Sequence, residues 1–182
     1  MIVAGCVVLI AACGRPPRPG ALTARWGTLD TASVTLRATA RWCVGAGRID
    51  LRARTGDTAF GVAFYPTDSV AVAASYPVWQ PGQPGALRPG AGVAVRWMSK
   101  AVIEGWWADS GVVELTGGWP KVAGQGQARL ISGRGPDSTI PLEFTFRDVP
   151  LLVDTLCDQP TLPAGVPNVP DSGTPTPAAG VH

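Results

Sequence analysis

The sequence predicts an all-β domain, and three observations carry that reading. Apolar residues return at every second position in short runs, and the runs are punctuated by Gly, Pro and Asp. No window of about 11 residues or more carries a helical stripe, because Gly or Pro interrupts the segments that would supply one. Eight to ten short antiparallel strands protect their edges as a two-sheet sandwich or as a closed β-barrel. The sandwich is the favoured expectation and the barrel its alternative.

The elements follow in order. Val34, Leu36, Ala38, Ala40 and Trp42 share one face of a strand, with Thr35, Arg37, Thr39 and Arg41 on the other. Ile49, Leu51 and Ala53 alternate with Asp50, Arg52 and Arg54. Thr55-Gly56-Asp57 then turns the chain into a run with Phe60, Val62 and Phe64 together, which reads as a hairpin. Val70, Val72, Ala74 and Tyr76 form another alternating set, as do Val93, Val95 and Trp97. The Pro/Gly-rich loop Pro77 to Gly92 between them is long enough to be a candidate functional feature.

A strand is expected over Lys100 to Trp107, a turn at Asp109-Ser110-Gly111, a returning strand over Val112 to Thr116 and a further turn at Gly117 to Pro120. Val122 to Ile131 and Thr139 to Arg147 make the last clear pair, with Ile140, Leu142, Phe144 and Phe146 facing inward. Leu151 to Cys157 adds a final strand. Gly124, Gly126 and Ala128, spaced by two, point to close sheet contact or strong bending.

Ahead of this body, Ile2 to Ile10 is an apolar run too short for a membrane-spanning helix, which needs roughly 20 residues. It fits the discarded core of an export signal. Ile10-Ala11-Ala12-Cys13 closes it with an aliphatic residue, two small residues and a cysteine, which resembles the lipobox of bacterial lipoproteins. The resemblance covers the first 13 residues and implies that Cys13 carries a lipid anchor. Val3-Ala4-Gly5-Cys6 satisfies the same pattern, but cleavage there would leave Val7 to Ile10 as an apolar stub. The stretch before Cys13 lacks the Lys or Arg with which export signals begin, which suits a true start lying elsewhere.

The expected organisation is a signal over 1–12, a Pro/Gly-rich tether over 13–21, one β domain over 22–157 and a Pro-rich disordered tail over 158–182. After cleavage Cys43 and Cys157 remain as a pair beside the acylated Cys13, and an oxidising envelope compartment suits a disulfide between them.

Net charge is only +2, with no run of Lys or Arg, so nucleic acid is not expected as a partner. The single histidine is His182, the last residue, which removes histidine-based triads, bases and metal sites from consideration. Neither a metal nor another cofactor is expected. Glu104, Glu114 and Glu143 fall on polar strand faces, where solvated sheet charge explains them better than an acid/base pair.

The functional hint is aromatic, since seven Trp accompany only two Tyr and four Phe. Trp42 and Trp97 lie on apolar faces. Trp106 and Trp107 are adjacent, so one must point outward. Trp79 and Trp119 stand in expected loops beside Pro. Trp79, Trp106, Trp107 and Trp119 are therefore the candidate contacts for a glycan or protein ligand.

The resulting expectation is a membrane-held envelope protein that binds or interacts without catalysing. The alternatives are a secreted, carboxylate-dependent enzyme acting on glycans and an accessory subunit of an envelope assembly.

Overall fold

The computed structural model describes residues 20–27, 32–68, 73–80, 88–99, 102–155 and 157. The expected signal, Cys13, most of the expected tether, Val70 and Val72, Lys100 and the tail from 158 lie outside the described residues. The described residues form nine strands: β1 Gly20–Trp26, β2 Ala32–Cys43, β3 Arg48–Thr55, β4 Thr58–Tyr65, β5 Ala74–Pro77, β6 Gly90–Ser99, β7 Val102–Gly118, β8 Lys121–Ser132 and β9 Gly135–Asp154.

The fold is all-β, and its sheet closes. The hydrogen-bonded order runs β7-β6-β4-β3-β2-β1-β9-β8 and returns to β7 through the β7–β8 ladder, an eight-stranded antiparallel barrel. This is the alternative architecture and not the favoured sandwich. Alternation reports only which face of a strand is buried; it is silent on whether that face meets a second sheet or the far wall of its own.

The far wall is what it meets. Phe60 on β4 packs against Phe144 on β9, with ring centroids 4.9 Å apart, and Phe64 meets Phe146 at 6.1 Å. β4 and β9 lie opposite one another in the ring, so these aromatics fill the lumen from both sides. Leu22, Leu36, Ile49, Leu51, Val62, Val93, Leu115, Leu130 and Leu142 complete a side-chain core, as small barrels require. The short β5 pairs with the second half of β7, where β6 has ended, and inserts Tyr76 edge-on against Phe64 at 5.3 Å.

Outward positions carry Thr23, Arg25, Thr35, Arg37, Thr39, Arg52, Arg96, Gln125, Gln127 and Arg129, all exposed. That polarity, apolar within and charged without, is the reverse of a lipid-embedded barrel.

Three local features shape the wall. The first is that β7 does not turn at Asp109-Ser110-Gly111. It continues through a bulge, since its pairing with β8 shifts register between Ala108 and Ser110. Arg129 on β8 clasps the bulged Asp109 bidentately, at 2.9 and 2.6 Å, and Ser110 Oγ donates to the same carboxylate at 2.9 Å. A sequence that resembles a turn is thus held extended by its own side chains.

The Arg129 hydrogen bonds hold the Asp109 carboxyl below the ordinary Asp range. A carboxyl depressed on folding stabilises above its unfolded pKa and loses that contribution as pH falls through its folded one. Asp109→Asn is therefore expected to lower the urea midpoint at pH 7. Its deficit against the wild type is expected to shrink on acidification below about pH 4, as read by tryptophan fluorescence. A deficit independent of pH would contradict this account.

The second feature is the crossing at the start of β1. β1 begins at Gly20, so Gly20 and Ala21 belong to the barrel wall. A side chain at Gly20 would overlap the backbone of Arg147, Asp148 and Val149, at 2.6 Å from each. Here β9 kinks, with Asp148 at φ 52°, and passes over the β1 start to pair in parallel with β2, from Ala40↔Leu151 to Cys43↔Asp154. Arg41 and Asp154 bond across this ladder at 3.0 Å.

The third feature caps the opposite end. Trp26, Trp97 and Trp106 stack in series with centroids 5.1 and 5.5 Å apart, covering the barrel mouth near the β6–β7 hairpin.

Candidate functional site

The four candidate tryptophans go to three places. Trp106 faces inward in the stacked cap, and its indole N–H donates to Glu104 at 3.4 Å. Trp119 tops the β7–β8 turn and is 67% exposed. Trp79 and Trp107 come together as two sides of one groove on the outer wall.

This groove has a volume of about 390 Å³ and runs across β3, β4, β6 and β7. Its floor is Gly61 and Ala63 on β4 beside Gly92 and Ala94 on β6, paired Gly61↔Ala94 and Ala63↔Gly92. Outward positions of a solvated barrel are ordinarily polar, yet these four carry almost no side chain. Among the described residues nothing requires glycine at Gly92, where an added Cβ would meet no atom within 4 Å; at Gly61 the nearest atom would be the Leu51 carbonyl oxygen at 3.9 Å. Glycine inside a strand costs stability, and an open space above it is where a ligand can approach closely.

The walls are aromatic on two sides and charged on the third. Trp107 pairs with Ala94 and forms one edge. Trp79 stacks on Tyr65 at 4.7 Å and forms the end. The backbone N–H of Trp79 donates to the Ala91 carbonyl at 2.8 Å, and its ring lies flat over Gly90, where any larger residue would strike the indole. Its indole nitrogen is buried and has no partner among the described residues, so stacking, and not hydrogen bonding, seats the ring. The expected functional loop contributes this wall, while its residues 81–87 lie outside the described residues.

Across the floor stand Asp50 and Arg52 of β3. Asp50 is 7% exposed and accepts from Arg48 Nε at 2.9 Å and from Arg52 at 3.3 Å. Arg52 keeps most of its guanidinium in solvent and has donors to spare.

Glu114 and Glu143, the carboxylates weighed for catalysis, line a different concavity of about 430 Å³ with Thr23, Arg25, Gln125 and Gln127. Both are exposed, no tryptophan lines that surface, and Gln125 Nε2 donates to Glu114 at 2.8 Å. Glu104 lies apart from them beneath Trp106. Among the described residues no three His, Cys, Asp or Glu side chains converge as metal ligands do.

The Gly/Ala floor and Tyr65 were not among the candidates drawn from the sequence. A signal was present: β4 reads Ala59, Gly61, Ala63 on the face opposite Phe60, Val62, Phe64, and so lacks the polar outer face of its neighbours.

Comparison with protein-family models, with curated proteins and with solved structures returns no match to this chain.

Proposed function

We propose that this protein is a non-enzymatic binding module of the bacterial cell envelope, held to a membrane by a lipid on Cys13, and that its outer-wall groove receives a glycan. The observation that supports the groove is the bare Gly61, Ala63, Gly92 and Ala94 floor set between Trp107 and the Tyr65–Trp79 stack. A sugar ring has an apolar C–H face and a polar rim. The former suits an aromatic wall, and the latter suits the free donors of Arg52.

The test is a fluorescence titration of the protein with soluble amino-sugar oligosaccharides and, separately, with a library of short peptides. Saturable quenching by the sugars is expected, with Trp107→Ala weakening affinity about tenfold or more, equivalent to about 1.4 kcal/mol. Gly92→Leu places a side chain where no described residue reaches and is expected to abolish binding without unfolding. Peptide binding lost in the same variants would replace the glycan with a protein ligand. Sugar binding unaffected by either substitution would remove the groove from the proposal.

The lipid is tested by fatty-acid labelling. Wild type is expected to incorporate label and Cys13→Ser to lose it.

A further inference from the structure

The barrel has two dissimilar ends, and the chain enters at one of them. Gly20, the first described residue, starts β1 at the end where β7 turns into β8 and where β9 meets β2. Around this entry point lie Trp119, Val153, Val44 and Leu152, all exposed. Their backbones are neighbours, although Leu152 and Val153, consecutive in β9, face opposite sides of the strand. Leu151 N–H donates to the Pro120 carbonyl at 2.9 Å beside Trp119, and Val44 N–H donates to the Asp154 carbonyl at 3.3 Å beside Val153.

Exposed apolar residues scattered singly are ordinary; a group gathered at the end from which the chain enters the barrel is not. Tryptophan is moreover the side chain that settles at a bilayer interface, with its ring among the acyl carbons and its N–H among the headgroups. Lys121 and Arg147 stand exposed in the same region, with Lys121 Nζ 3.5 Å from the exposed Asp148 carboxylate, so docking there relies on apolar contact more than on net charge.

We infer that this end of the barrel is a bilayer-docking surface, with Trp119 as its interfacial anchor and Val44, Leu152 and Val153 beside it. The inference rests on the Cys13 anchor, and the chain length between them selects the occupant. Seven residue steps separate Cys13 from Gly20, which extend to about 25 Å at most. A lipid on Cys13 therefore keeps this end, and not the Trp26–Trp97–Trp106 cap, next to the membrane. The exposed Met98, Val102 and Ile103 of the far end point away from it. Docking in this way leaves the groove on the flank of the barrel, open to the side.

The test uses the full-length protein purified from membranes and reconstituted into vesicles of phosphatidylethanolamine and phosphatidylglycerol with brominated acyl chains. Wild-type fluorescence is expected to be quenched relative to non-brominated vesicles, and Trp119→Ser is expected to lose most of that quenching while still floating with the vesicles. Equal quenching in the two proteins, or none in a wild type that floats, overturns the docking surface and leaves the anchor standing. Fatty-acid label equal in wild type and Cys13→Ser, with the Trp119-dependent quenching intact, removes the anchor instead and leaves the docking surface. A wild type that does not float overturns both.

Discussion

Gly124→Val is expected to leave the protein largely unfolded, whereas Gly92→Val, the same exchange on the opposite side of the wall, is expected to be tolerated. Gly124 faces the lumen beside Phe146, its pairing partner on β9. A Cβ there would strike the Phe146 ring and, on the other side, the backbone carbonyl of Glu114 on β7. Neither can retreat. Phe146 is fully buried and packs on Phe64 from across the barrel, and the carbonyl belongs to the ladder that closes the ring.

Overpacking a close-fitted core costs about 1–3 kcal/mol when neighbours can shift, and more when they are backbone. A domain of this kind is stable by about 5–15 kcal/mol, so the folded population empties only when the loss reaches the lower end of that figure, which the double clash at Gly124 is expected to do. At Gly126 the nearest atoms all belong to the Phe144 ring, so Gly126→Val is expected to destabilise less. Urea unfolding followed by fluorescence, with circular dichroism on the purified variants, reads the contrast. A Gly124→Val protein with the wild-type midpoint would show that β8 can move away from β9, and hence that these rings do not set the barrel's curvature.

Loss of the cross-link is expected to cost about 4–5 kcal/mol. The sulfurs of Cys43 and Cys157 lie at disulfide distance, with Cα atoms 5.6 Å apart and a sequence separation of 114. By the chain-entropy argument, closing a loop of that length removes much of the freedom of the unfolded chain. Cys157→Ser is the cleaner variant, since Cys43 is wholly buried and a hydroxyl there would need a partner. The stability deficit is expected to appear equally on adding reductant to the wild type, and to be absent when reductant is added to Cys157→Ser.

Hydrogen exchange locates the effect. The four-residue parallel ladder of Ala40 to Cys43 with Leu151 to Asp154 is the part the cross-link clamps, so its amides are expected to open first. A wild type indifferent to reductant would mean that the two sulfurs are not joined in solution.

Strand content was legible because each strand buries a single face. Phe60, Val62 and Phe64 or Ile140, Leu142, Phe144 and Phe146 announce themselves by period alone. Closure was not legible, since it depends on β8 pairing with both β7 and β9, a long-range choice that leaves no local mark. β1 escaped because Gly20 and Ala21 read as the end of a Pro/Gly-rich tether, although Leu22, Ala24 and Trp26 supply the alternation. The Asp109-Ser110-Gly111 bulge was read as a turn because its chemistry is that of a turn; the clasp that holds it extended comes from Arg129, 20 residues on. Of the site, the aromatic walls Trp79 and Trp107 stood out as large residues do. The floor did not, because what distinguishes Gly61 and Gly92 is the emptiness above them.

The path of β9 carries a consequence for kinetics. This strand pairs with β8, β1 and β2 in turn, so the first and last strands of the barrel are direct neighbours. Contacts so distant along the chain are slow to form, because the ends must find each other before any reward for doing so is collected. Until Phe144 and Phe146 have emerged and reached Leu22 and Ala24, β1 has no second partner and the lumen has no fourth side. A ribosome-bound chain therefore holds an open, unclosed sheet, and the barrel forms only after its final strand is released.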